Sequence, residues 1–167
     1  MKREGERELP FDPAAMPADA GVVFIGTVRS PWTERSDCPK NMAAAREHGR
    51  PASVEIADAY REGLEGLAGF SHVVLLTWLD RADRNLIVQM PRHATEPRGT
   101  FALRSPARPN PIGLHVARIV SVDAASGIVA IDAIDVLDGT PIVDLKPYYA
   151  SIDAFPEATR PSERSGS

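Results

Sequence analysis

Apolar positions along the chain fall in short runs broken by Gly, Pro, Asn and Asp, which is the rhythm of strands and turns. GVVFIGTV, Gly21 to Val28, is a run rich in β-branched residues and predicts a buried strand. ASVEI, Ala52 to Ile56, alternates and predicts a second. IADAYREGLEGL predicts one or two helical turns, with Gly66 and Gly69 marking the exit. SHVVLLTWLD, Ser71 to Asp80, is apolar on both faces and predicts a strand central to its sheet. GTFAL, Gly99 to Leu103, predicts a short strand. GLHVARIVSV and GIVAIDAI flank the turn-like DAAS and predict a β-hairpin, and PIVDL, Pro141 to Leu145, a last strand. Six or seven short strands with few helical turns describe a mainly β barrel or sandwich, not a parallel α/β sheet.

The ends lack this rhythm. Residues 1–20 are polar and Pro-rich and read as a loose, disordered arm, and residues 157–167 as a flexible tail. That leaves residues 21–156 as one domain, a size that 167 residues with 43% hydrophobic and 25% charged content accommodate. A net charge of −4 argues against a polycation built to coat nucleic acid. Arg92, Arg98, Arg104 and Arg108 nevertheless cluster in sequence, leaving room for a local basic groove; solvated surface arginines are the plainer alternative. Cys38 is the one cysteine, so no intramolecular disulfide forms and a reducing compartment is expected. The charged N-terminus lacks a signal-peptide core, and no apolar run approaches the roughly 18 residues of a membrane span. A cytoplasmic protein with no membrane association is the expectation.

Several chemistries find no support. Gly63, Gly66 and Gly69 do not form GxGxxG and precede a strand instead of following one. His48, His72, His93 and His115 are dispersed without ligand spacing, so no metal site is expected. GFSH is not GxSxG, and His72 reads as a hydrogen-bonded structural residue. Three loops are more informative. RSPARPNPIG, Arg104 to Gly113, is stiffened by three prolines and presents Arg104 and Arg108, suiting it to hold an anion or stack on a ring. DVLDGTPIVDLKPYY brings Asp135, Asp138, Asp144 and Lys146 together around an Asp-Gly turn, where carboxylates would meet ribose hydroxyls or an ammonium group. RSPWTERSDCPKNM, Arg29 to Met42, is long for a loop in a compact domain. Each of the first two alone reads as an ordinary turn, but together they suggest a two-sided polar site; the third alone reads as an ordinary long surface loop.

IGTVRSP, GFSHVVLLTWLD, FALRSPARPNPIGLHV and DVLDGTPIVDLKPY occur in the order and spacing of the TsaA-like/TrmO family, which the chain resembles from Gly21 to Tyr148. The resemblance implies a single-sheeted antiparallel or mixed β-barrel that binds S-adenosyl-L-methionine, commonly as a homodimer. Characterised members methylate N6 of threonylcarbamoyl-adenosine beside the anticodon of threonine tRNA. By position, cofactor contacts are implied at Pro39, Lys40 and Asn41, at Asp80 and Arg81, and at Arg104 and Leu114. Ile134, Asp135, Val136, Leu137 and Asp138 complete the set, and Asp138, Asp144 and Tyr148 are the candidate proton acceptors. The first of these loops is expected to reach a cofactor held mainly by the other subunit. Asp80 stands where relatives often have His, and Lys40-Asn41 where Arg-Gln is frequent. The chain ends soon after the barrel, so a short form without the family's C-terminal domain is expected. Methylation of a small molecule or another RNA, and a non-catalytic cofactor sensor, stay open as alternatives.

Overall fold

The computed structural model describes residues 3–91 and 94–159. Arg92 and His93, and the tail from residue 160, lie outside the described residues. Six strands close into one antiparallel barrel: β2 (Gly26–Arg29), β3 (Ala52–Ile56), β4 (His72–Trp78), β7 (Ile112–Asp123), β8 (Ile128–Ile131) and β9 (Pro141–Pro147). Around the barrel they run β2-β3-β8-β7-β4-β9, and β9 returns to β2. A small second sheet joins β1 (Arg7–Glu8), β5 (Leu86–Gln89) and β6 (Arg98–Gly99). Helices are short: α1 (Met42–His48) and α2 (Ala150–Asp153), with 3-10 turns at Asp58–Leu64, Leu67–Gly69 and Thr100–Ala102.

Strand alternation builds the interior. Val28, Val54, Val73, Leu75, Ala117, Val129, Ile131 and Ile142 are all fully buried and fill the barrel. The β7–β8 hairpin turns on Asp123, whose side chain accepts from the backbone N–H groups of Ala125 and Ser126 and from the Ser126 hydroxyl. These bonds hold the Asp123 carboxyl below its ordinary pKa.

The structure departs from the sequence reading in several places, among them β5 and α2, which the sequence reading does not contain. Only Gly26–Arg29 of the first apolar run is strand. Val22, Val23 and Phe24 are exposed, because pairing with β9 begins only at Gly26. β4 is not central, since a closed barrel has no centre, and it is buried on one face in strict alternation. GTFAL is not a strand: it leaves β6 at Gly99 and winds into a 3-10 turn. That turn is fixed by Thr100, whose buried hydroxyl donates to the Leu86 carbonyl, while Phe101 is exposed. Arg7–Glu8, in the stretch read as a loose arm, pair with β5, and the Arg3 guanidinium donates to the Met90 carbonyl. The helix α1 went unread, although Asn41 caps it through its side-chain oxygen and Gly49 ends it in the left-handed region.

Candidate functional site

Loops at one end of the barrel are stitched to each other before they form a site. Trp32, buried after β2, donates its indole N–H to the Ile134 carbonyl at 2.8 Å. The Ser30 hydroxyl donates to the Val136 carbonyl, and the Ser30 N–H donates to Asp138 Oδ1. The Asp138 N–H in turn donates to the Trp32 carbonyl at 2.7 Å. The start of the Arg29–Met42 loop, at Ser30 and Trp32, is therefore tied to the acidic loop. Next along the chain, α1 lies against β7, with the Arg46 guanidinium donating to the Val116 carbonyl at 2.6 Å and meeting Asp132 at 3.3 Å.

The Pro-rich loop is held from below by side chains. Gln89 is buried and donates its amide to Thr100 Oγ1 and to the Ala107 carbonyl. Arg84 donates to the Pro109 carbonyl. Arg108 donates to the carbonyls of Thr100 and Leu103, closing the 3-10 turn. Through Nη2 it braces the loop from within, while Arg108 also lines the cavity beside Arg104. Its Nε is buried and has no partner. Arg104 is exposed and makes one bond, from Nη2 to the Leu114 carbonyl at 3.0 Å, so most of its five donors remain available.

These loops enclose a cavity of about 700 Å³. Pro39, Lys40, Asn41, Asp80, Arg81, Arg104, Leu114, Asp135, Val136 and Leu137 all line it, drawn from four separate sequence blocks of a single chain. Ile134 and Asp138 do not. Ile134 is buried in the core, and Asp138 is occupied with Ser30 and lies 4.0 Å from Arg29. Both frame the loop that the others expose. Asp144 lies elsewhere: it meets Lys146 at 2.7 Å and lines a different cleft with Tyr60 and Phe70. Tyr148 packs against His72 and is absent from the cavity wall. Neither is therefore placed to take a proton there.

Sequence reasoning missed part of the wall. Ile112 points outward from β7 beside the expected Leu114, both about half exposed, and with Leu79 and Met42 they give the cavity an apolar side. Cys38 also lines it, and its thiol is pushed up to about 11, first by burial and then by the nearby Asp135 carboxylate. His115 is the largest omission. Dispersed from the other histidines in sequence, it nevertheless places its Nδ1 2.6 Å from Asp135 Oδ1. No spacing rule pairs residues twenty apart. The usable signal was strand alternation, which turns His115 to the same side of β7 as buried Gly113 and Ala117.

A six-stranded antiparallel barrel with this cavity can be compared with known proteins. The model of the tRNA-methyltransferase O N-terminal domain family matches residues 27–154. The chain belongs to that family. Among curated proteins it is 39% identical over 131 residues to a "Probable S-adenosyl-L-methionine-binding protein" of Methanothermobacter thermautotrophicus, covering 78% of this chain and 91% of that one. It is 30% identical over 141 residues to the tRNA (adenine(37)-N6)-methyltransferase of Escherichia coli, covering 81% of this chain and 60% of that protein. The crystal structure of TrmO from Pseudomonas aeruginosa superposes with a TM-score of 0.67 at 31% identity, over 85% of this chain and 62% of that one. The family domain thus accounts for most of this chain, while the chain spans under two thirds of the methyltransferase relatives.

Proposed function

We propose that this protein is an S-adenosyl-L-methionine-dependent tRNA methyltransferase that acts on adenine N6, with threonylcarbamoyl-adenosine beside the anticodon of threonine tRNA as the acceptor. The observation that carries the reading is one cavity in which four distant sequence blocks meet, in a chain of this family. The residues present fit the donor. Its volume lies within the range of small-molecule sites, of roughly 300–1,000 Å³. Leu79, Ile112 and Leu114 offer an apolar wall for a purine; Asp80 and Asp135 accept from hydroxyl or ammonium groups; Arg104 has donors for a carboxylate.

When bound, the donor supplies a methyl group on a sulfonium, which is already a good leaving group. The protein's contribution is then alignment of the acceptor nitrogen, and the stitched loops provide a rigid frame for it. Lys40, Arg81 and Arg104 on the wall supply positive charge for an RNA backbone in a chain that is acidic overall. A homodimer belongs to the same proposal, supported by the exposed apolar strip Val22–Phe24, and so does residence in the compartment where tRNA is processed. No helix among the described residues is long and apolar enough to cross a membrane.

A second reading has its own support. The relative that this chain nearly spans is named for binding the cofactor, whereas the methyltransferase relatives are longer. A non-catalytic binding protein would share the cavity. One experiment separates the readings: incubation with methyl-labelled donor and total tRNA from a strain lacking the gene. Label in threonine tRNA supports the proposal. Label in another RNA or a small molecule refutes the acceptor, binding without transfer leaves the sensor, and no binding by calorimetry rejects both.

A further inference from the structure

Asp135 does not stand alone on the cavity wall. Behind it His115 is 6% exposed, with Nδ1 at 2.6 Å from Asp135 Oδ1 and Nε2 at 3.0 Å from Thr77 Oγ1. Thr77 is fully buried on β4, directly opposite Gly113 of β7. An ionised carboxylate only accepts, so Nδ1 carries the hydrogen that faces Asp135; in the neutral ring Nε2 then accepts from the Thr77 hydroxyl. Gly113 makes the arrangement possible, because a Cβ there would collide with Thr77 Oγ1 and lie 2.6 Å from His115 Nε2. Both ring nitrogens are engaged, so His115 is not a free base. No hydrogen bond or ion pair among the described residues engages the second Asp135 oxygen, whose side chain is 16% exposed and lines the cavity.

We propose that His115 is a positioning residue: anchored by Thr77, it fixes the Asp135 carboxylate so that Oδ2 accepts from a hydroxyl or ammonium group of the bound donor. The inference rests on the cofactor reading above. A buried His–carboxylate pair contributes little to stability beyond what packed apolar side chains would give. What it does achieve is one orientation for an acceptor that would otherwise rotate. The chain supplies three elements for this from separate places, β4, β7 and the acidic loop.

The test compares His115→Asn with His115→Gln. The Asn amide nitrogen overlays Nδ1 and keeps the bond to Asp135, whereas Gln reaches toward Thr77 and loses it. In calorimetry with S-adenosyl-L-methionine, H115N, which keeps the Asp135 bond but loses the Thr77 anchor, should lose only part of the affinity, and H115Q should bind roughly tenfold more weakly than the parent, the scale of one lost hydrogen bond to a charged group. In turnover, KM for the donor should rise in H115Q with kcat little changed. Equal affinities for H115Q and the parent, or equal losses in H115N and H115Q, overturn the proposal. A second readout needs no variant and no ligand: nitrogen-15 NMR of the His115 ring should show the hydrogen on Nδ1, and an unprotonated Nδ1 overturns it. If the parent protein binds no donor, the cofactor reading fails, while the NMR result still judges the clamp.

Discussion

Gly113 and Arg104 have opposite demands at the scale of single residues. Gly113 sits where β7 crosses closest to Thr77, and a methyl group there has no space. Gly113→Ala should therefore destabilise by about 1–3 kcal/mol, the range for overpacking, and weaken donor binding by displacing His115. Thermal unfolding and calorimetry on the same sample would check it, and an unchanged melting temperature would refute the close approach. Arg104 is exposed and its one protein partner is a carbonyl, so Arg104→Ala should leave stability nearly untouched. Its loss should appear in binding, at roughly tenfold or more, as expected for a charge-assisted bond to a carboxylate. The exposure of Arg104 on a polar loop was legible in the sequence, because Pro and Arg at such density mark a stiff, charged loop. Nothing comparable marked His115: its partners Thr77 and Asp135 come from other elements, and only the β4–β7 register and the acidic loop bring them together.

Whole elements behave as their hydrogen bonds dictate. Trp32→Phe keeps an aromatic ring but is smaller, and it removes the N–H that satisfies the Ile134 carbonyl. Leaving that buried acceptor unpaired should cost about 1–3 kcal/mol. It should also loosen the 134–138 stretch, so donor affinity falls although Trp32 is not on the cavity wall. Denaturant midpoints and calorimetry would test both parts; loss of stability with full affinity would show that the two loops are not coupled. The β7–β8 turn makes a pH prediction. Asp123 has a lowered pKa when folded, so its contribution is present above the ordinary carboxylate range and is lost as pH falls through the folded value. Asp123→Asn should therefore narrow the stability difference between neutral and acidic solution. The barrel strands were legible because alternation and turn residues agree along β3, β7, β8 and β9. The run at Gly21–Phe24 misled because apolar composition without a pairing partner does not make a strand. The helix α1 is hard to read despite its Asn cap and Gly stop, since seven residues with only Ala45 buried carry almost no apolar periodicity.

For the whole molecule, Cys38 reports on how the loops converge. It is the chain's one thiol, and it lies where the 29–42 loop meets the acidic loop on the cavity wall. Burial raises its pKa to about 11, the charge of Asp135 adds to that, and Arg35 opposes it. Only a small fraction is thiolate at pH 8, so alkylation by iodoacetamide should be slower than for a free cysteine and should accelerate toward pH 11. Asp135→Asn removes a neighbouring negative charge, so its thiol should ionise at lower pH and label faster at pH 9. Saturating S-adenosyl-L-methionine should protect Cys38 in the parent protein, because the donor and the thiol would share the cavity. The same shift enters stability with a definite sign. A thiol that ionises later in the folded chain than in the unfolded one stabilises fully below the unfolded pKa of about 8.5. That contribution disappears as pH climbs toward 11. Cys38→Ser lacks it, so the gap in urea midpoint between parent and variant should shrink from pH 8 to pH 11. Rapid labelling at neutral pH that is indifferent to both Asp135 and the donor would mean that Cys38 lies in open solvent and that the two loops do not share a cavity.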